Sequence, residues 1–248
     1  MAKKVLIAGE SWMSYTTHVK GFDSFYTSVY EEGVEFIRNA IERGGYEVTY
    51  IPNHLAPTAF PFTMEELSQY DCVILSDIGS NTLLLPPQTF AKSERMPNRL
   101  QLIKEYVEAG GSFLMVGGYM SFSGVDGKTR YGQTPIQDIL PVRCIPGDDR
   151  QERPEGVFPV TVNVGHEALQ GLPTEWPPFL GYNQTEAIPQ GEVLATIGGD
   201  PFIAVGSFGK GKSAVFTSDC APHWGPPEFV NWEHYDQLWQ GILNYLTK

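Results

Sequence analysis

The chain has 248 residues, 42% of them hydrophobic, with 29 acidic against 17 basic side chains and a net charge of −12. That length suits one α/β domain with a substantial core, spanning residues 1–248. The acidic balance argues against a nucleic-acid partner, and no apolar run approaches the length of a membrane span.

The chain opens Met1-Ala2-Lys3-Lys4, followed by the apolar stretch Val5–Ala8. This stretch is too short for a secretory signal, and Glu10 stands where a cleavage site would be, so a first buried strand and a cytoplasmic location are expected. Residues 9–29 read as a long loop rich in Ser, Thr and aromatics (Trp12, Tyr15, Phe22, Phe25, Tyr26), of the kind that closes over a site. Val34, Ile37, Ala40 and Ile41 fall at helical spacing within Glu31–Arg43, and Gly44-Gly45 supplies a stop. Glu47–Ile51 reads as a second strand. Pro52–Phe62 reads as a loop, and Thr63 is placed to cap a helix over Met64–Gln69. Cys72–Leu75 is a third strand, with Cys72 a core thiol. Leu102, Ile103, Tyr106 and Val107 mark a helix from Leu100 to Ala109, and a fourth apolar run ends at Val116. Four alternations of strand and helix predict a doubly wound, mainly parallel sheet.

The second half is less regular and adds antiparallel strands. A short helix is expected over Thr134–Leu140 and a charged loop over Gly147–Gly156. Strands are expected at Phe158–Val164, Val193–Ile197, Phe202–Ser207 and Ser213–Thr217. A last helix runs from about Asn231 to Leu246, burying Tyr235, Leu238 and Ile242.

The run ending at Val116 leads into Gly117-Gly118-Tyr119-Met120-Ser121, where glycines let the chain turn sharply at the carboxyl end of a buried strand. Open α/β sheets bind their ligands at this edge. Glu10 and Ser11 after the first strand, and Asp77 after the third, share it. Asp219-Cys220-Ala221-Pro222-His223-Trp224-Gly225 follows a later strand and brings an acid, a thiol and an imidazole together. His223 suits a general base oriented by Asp219 or Glu228, with Cys220 a possible nucleophile; equally, the segment suits a packed loop with His223 on a carbonyl. Gly206–Ser213 spells a P-loop, but the β-rich Ala214–Thr217 follows where a phosphate-binding helix is required, so a hairpin turn is expected. Three dispersed cysteines, Cys72, Cys144 and Cys220, fit neither a disulfide framework nor a zinc knuckle. A metal set from His223, Asp219 and His166 or His54 has no diagnostic spacing, and neither a metal nor a cofactor is expected.

The order Tyr70–Asp77, Gly110–Gly118 and Gly209–Lys212 before the strand leading to His223 resembles the class I glutamine amidotransferase-like superfamily, whose fold is flavodoxin-like. Gly118–Gly124 and Asp219–Gly225 are most similar to its "putative glutamine amidotransferase" group and, more distantly, to ThuA-like proteins linked to sugar metabolism. The resemblance implies a Cys nucleophile at the turn after the fourth strand and a His two residues before a Glu after a late strand. Here the turn carries Gly117, Gly118 and Tyr119, and Gly225 stands two residues after His223, so the fold carries over and glutaminase chemistry is expected to be absent.

Two functions follow. In the first, a sugar, an amide or a carboxylic acid binds at the sheet edge. Gly117, Gly118 and Tyr119 offer backbone amides there, Ser121 a hydroxyl and His223 acid/base chemistry; Asp77 or Glu10 orients that histidine, and Trp224 lies close by. In the second, the chain is a non-catalytic sensor or a homo-oligomeric assembly module, with Trp224, Phe229, Trp232 and Trp239 as an apolar interface.

Overall fold

In the computed structural model, which describes residues 2–248, the apolar runs become the inner strands of one eight-stranded sheet. The first half comprises β1 (Lys4–Gly9), β2 (Ser11–Lys20), β3 (Asp23–Glu32), α1 (Glu35–Arg43), β4 (Glu47–Ile51), α2 (Ala56–Ala59), α3 (Met64–Leu67), β5 (Cys72–Ser76), α4 (Ser80–Leu84), α5 (Pro87–Lys92), α6 (Arg99–Glu108) and β6 (Ser112–Val116). The second half adds β7 (Val142–Cys144), β8 (Arg150–Val157), β9 (Val160–Thr161), β10 (Phe179–Asn183), β11 (Thr185–Ala187), β12 (Gly191–Ile197), β13 (Asp200–Phe208), β14 (Gly211–Phe216), α7 (Pro227–Val230) and α8 (Tyr235–Leu246).

The sheet order is β4-β1-β5-β6-β14-β13-β12-β9. The strands from β4 to β14 are mutually parallel and the remaining three antiparallel. Both faces are covered, so alternate residues of one strand enter different cores. Val5 and Ile7 pack with α1 and α8 residues such as Ile37 and Trp239, whereas Leu6 and Ala8 pack with α6 residues such as Ile103 and Val107. The parallel arrangement brings the carboxyl ends of β1, β5, β6 and β14 to one edge.

Several sequence expectations hold. Thr63 forms a reciprocal capping box with Glu66 at the start of α3. The P-loop spelling falls on the hairpin of β13 and β14, where Gly209 turns with φ +61° and no helix follows. Others need correction. Residues 9–29 are not a loop: β2 and β3 form a ten-by-ten residue ribbon turning at Gly21. Both of its faces meet water, so the apolar-in, polar-out alternation that marks a half-buried strand is missing. Glu31 and Glu32 accordingly end β3, and α1 starts only at Glu35. The charged Gly147–Gly156 segment is largely β8, paired with β10 across charged and polar residues. The Phe158–Val164 strand shrinks to β9, because regular pairing with β12 ends after Val160 and Thr161, where the amides of Val162 and Asn163 both converge on the Leu194 carbonyl. The proposed aromatic interface is core: Trp224, Phe229 and Trp239 are buried and Trp232 is half-buried. Phe229 packs on Phe179, Trp239 on Phe216 and Trp232 on Trp176, none of which the sequence places nearby.

Candidate functional site

Two non-glycine residues adopt left-handed backbone at the carboxyl edge: Glu10 (φ 48°) directly after β1 and Asp77 (φ 44°) directly after β5. Such strain persists only where surrounding structure enforces it, and it aims both side chains inward. After β14 the chain runs Thr217-Ser218-Asp219, and the following turn carries His223 over it. His223 Nδ1 lies 3.0 Å from Asp219 Oδ2. Glu10, Asp77, Asp219 and His223 thus line one cavity of about 470 Å³, walled by Trp12, Tyr119, Met120, Val125 and Pro222.

The electrostatics follow from burying three carboxylates together. Burial, then the charges of Asp219 and Asp77, push Glu10 well above the usual carboxylate range. Its Oε2 accepts a 2.5 Å hydrogen bond from the Ser76 hydroxyl. Asp77 is pushed up to about 7 by burial and by Asp219, although the Met120 amide donates to its Oδ1 at 2.6 Å. Burial also raises Asp219, opposed by its bond to His223. Burial pulls His223 down, but the hydrogen bond and charge of Asp219, with Asp77 and Glu152 behind them, outweigh this and hold the imidazole above its ordinary value. With Nδ1 engaged by Asp219, Nε2 is the nitrogen left for a ligand.

The remaining residues singled out from sequence are placed differently. Tyr119 lines the cavity, its ring edge-on to His223 at 4.3 Å and its hydroxyl donating to Glu152 Oε1 at 2.8 Å. Trp224 lies beneath, stacked on His223 at 5.3 Å, and its indole donates to Glu152 Oε2 at 3.0 Å. Ser121 is buried away from the cavity, donating to the Val116 carbonyl and accepting from the Asp77 amide. Ser11 is likewise buried and accepts from the Asn53 amide. The Gly117 amide donates to Phe216 and that of Gly118 to the Asn183 side chain, so neither glycine offers a free donor. The expected lid does not close over the site: of the ribbon, Trp12 at its root lines the cavity. His54 packs on Tyr30 and His166 on Tyr245, and neither joins Asp219.

Cys220 is buried, with Sγ 3.7 Å from Ser76 Oγ. Burial, followed by Glu10 and Asp219, raises its thiol far above the ordinary value, the opposite of what a thiolate nucleophile requires. Its sulfur and one oxygen each from Glu10 and Asp219 lie within 4.8 Å of one another, the one such group of potential metal donors among the described residues. Ser76 engages the Glu10 carboxylate, and His223 that of Asp219.

Gly118 decides what the turn after β6 can carry. Its φ is +141°, and a Cβ built on it would lie 2.8 Å from Asp77 Oδ1. The Asp77 carboxylate occupies the space that a side chain at this position would need.

Asn183 and Glu152 complete the site unannounced by the sequence. Asn183 is fully buried and bonds both the amide and the carbonyl of Gly118, and Asp149 besides. Both residues sit on strands of the β8–β10 pair, one read as a loop and the other overlooked. The run Phe179-Leu180-Gly181-Tyr182 before Asn183 was the one clue.

Among curated proteins nothing matches this chain. Two solved structures match it closely. A cytoplasmic protein from Salmonella typhimurium is 44% identical with a TM-score of 0.95, covering 98% of each chain. Another, from Salmonella typhimurium LT2, is 46% identical with a TM-score of 0.95, covering 99% of this chain and 100% of its own. A ThuA-like protein from Parabacteroides merdae ATCC 43184 shares the fold at 11% identity and a TM-score of 0.57, covering 100% of this chain and 90% of its own. The family model described as "Putative glutamine amidotransferase" matches residues 4–248, and the chain therefore belongs to that glutamine amidotransferase-like family.

Proposed function

We propose that this protein binds or transforms a small polar metabolite at a histidine–carboxylate site on the carboxyl edge of its sheet, and that it has no glutaminase activity. One observation carries the reading: His223 is held by Asp219 at 3.0 Å on the wall of a cavity that Glu10 and Asp77 also line. In this reading Asp219 fixes the tautomer of His223, and Nε2 exchanges a proton with the ligand. The raised proton affinity of His223 favours its acting as the acid. Glu10 and Asp77 hold ligand hydroxyl or amide groups, and Tyr119 and Trp12 form the apolar walls. Of a sugar, an amide and a carboxylic acid, the acid fits worst, because the cavity wall carries three acidic side chains and no Lys or Arg to pair its charge.

The whole chain acts here as one domain. Its relatives' description as cytoplasmic proteins supports the same location for this one, and no described helix is long and apolar enough to cross a membrane. Nucleic acid remains an unsuitable partner for a net charge of −12. The rival reading, a non-catalytic binding or assembly module, draws support from the exposed ribbon of β2 and β3. Self-association belongs to both.

The test is a thermal-shift screen with neutral sugars, polyols, amides and carboxylic acids, because a ligand that binds the native state raises its melting temperature. Hits are expected among the neutral compounds. His223→Ala should abolish the shift at a stability cost below about 2 kcal/mol, as expected for a side chain at the surface. Loss of several kcal/mol with ligand binding retained would make His223 structural and end the acid/base reading. Incubation with glutamine should release no ammonia above background, in wild type and Cys220→Ala alike.

A further inference from the structure

Nine of the sixteen large hydrophobic side chains exposed among the described residues lie on the ribbon of β2 and β3 and its turn. Every residue of β3 is exposed, and Phe22 at the tip is fully so. The pairing Thr17↔Tyr26 puts Tyr15, Val19 and Tyr26 on one face, each 70–76% exposed. Two strands alone are marginal in water, and a contiguous exposed apolar surface of this kind marks an interface.

We infer that this ribbon is an assembly arm, and that a second copy of the same chain covers its Tyr15–Val19–Tyr26 face. Charge selects that partner. From Met13 to Tyr30 the arm carries one lysine and one aspartate, Lys20 and Asp23, which face each other across the ribbon, whereas the whole chain carries −12. Two copies repel each other over most of their surface and least along this neutral arm. Geometry permits it too. One patch can meet its own copy about a two-fold axis, so this single face is enough to close a pair.

The area is sufficient. Ten residues per strand reach about 33 Å, far enough to lie along a neighbour. Covering Tyr15, Val19 and Tyr26 removes about 500 Å² per copy from water, over half of the roughly 800 Å² each partner contributes to a standard interface. The arm also lies within the span shared with the Salmonella typhimurium LT2 protein, a match that covers 99% of this chain. Trp12 at its root lines the cavity, so docking the arm fixes one wall of the site.

This inference names the surface for the self-association proposed above and does not depend on the acid/base reading. The test is sedimentation velocity over a concentration series on three proteins. These are the wild type, Tyr15→Ser/Tyr26→Ser, and a chain whose residues 13–30 are replaced by a short Gly-Ser turn between the paired Trp12 and Glu31. The wild type should form an oligomer, the double variant should dissociate about 100-fold more readily, and the shortened chain should be a monomer. Far-UV circular dichroism checks that the double variant keeps the wild-type fold. A wild type that is monomeric throughout overturns both the arm and the self-association. So does a monomer that floats with phosphatidylcholine or phosphatidylserine vesicles. An oligomer indifferent to the double variant overturns the arm alone.

Discussion

The cavity and the arm invert the usual partition of a folded chain in opposite directions. Around the cavity, carboxylates that water would solvate are packed together: Glu10 is 2% exposed and Asp219 4%. Along the arm, tyrosines and two phenylalanines that a core would bury stand in solvent. Both arrangements are costly to an isolated chain, the first through desolvation and like-charge repulsion, the second through unburied apolar area. The difference lies in what relieves them. The carboxylates are held by the carboxyl ends of three parallel strands, β1, β5 and β14, which the core enforces, so a ligand or proton must come to them. The arm is held by its own ladder and is free to go to a partner.

The sharpest way to break the cavity side is to refill the turn after β6. Gly118→Ala puts a methyl group 2.8 Å from Asp77 Oδ1 at a φ of +141°. A loss of about 2–4 kcal/mol is expected in urea unfolding. A neutral result would mean that Asp77 moves freely and does not define the site.

A smaller and opposite effect is expected from Asp77→Asn, which keeps an acceptor for the Met120 amide and removes the charge. Because the folded protein raises Asp77 to about 7 from an ordinary 3.8, the folded state binds its proton more tightly than the unfolded chain does. Stability from this group is therefore complete below about 3.8 and is lost as pH rises through about 7. Glu10 and His223, both raised, slope the same way. Unfolding measured across this range should find Asp77→Asn equal to wild type at the acid end and more stable by about 1–3 kcal/mol above neutrality. Equal pH profiles would show that the carboxylates are not crowded.

The smallest effect on the folded protomer is expected on the arm side. Tyr15→Ser/Tyr26→Ser should change the stability of the dilute protein by no more than about 0.5 kcal/mol, since both side chains face water. The rise of melting temperature with concentration that an oligomer shows should disappear. A large loss in dilute solution would place the arm within the fold, where the comparison with the cavity no longer applies.

Sequence by itself determined the parallel half of the sheet. Val5–Ala8, Cys72–Leu75 and Phe113–Val116 are short apolar runs between polar or glycine-rich segments, and a run of that kind has few alternatives to a strand covered on both faces. It also determined local punctuation: the Thr63 cap, the turn at Gly209, and the edge where Glu10, Asp77 and Asp219 emerge, since caps and turns depend on residues a few positions apart. The tertiary structure alone decided how those residues are used. That Asp77 occupies the side-chain space of Gly118, that Asn183 grips the same turn, and that Glu152 joins Tyr119 to Trp224 are contacts between distant segments. The same holds for the aromatics. Periodicity and composition mark Trp239 and Tyr26 alike as apolar, but whether such a ring enters a core or stands in water depends on which surfaces the fold brings against it. Helix α8 lies on the sheet and buries Trp239, whereas the ribbon leaves the sheet and keeps Tyr26 in solvent.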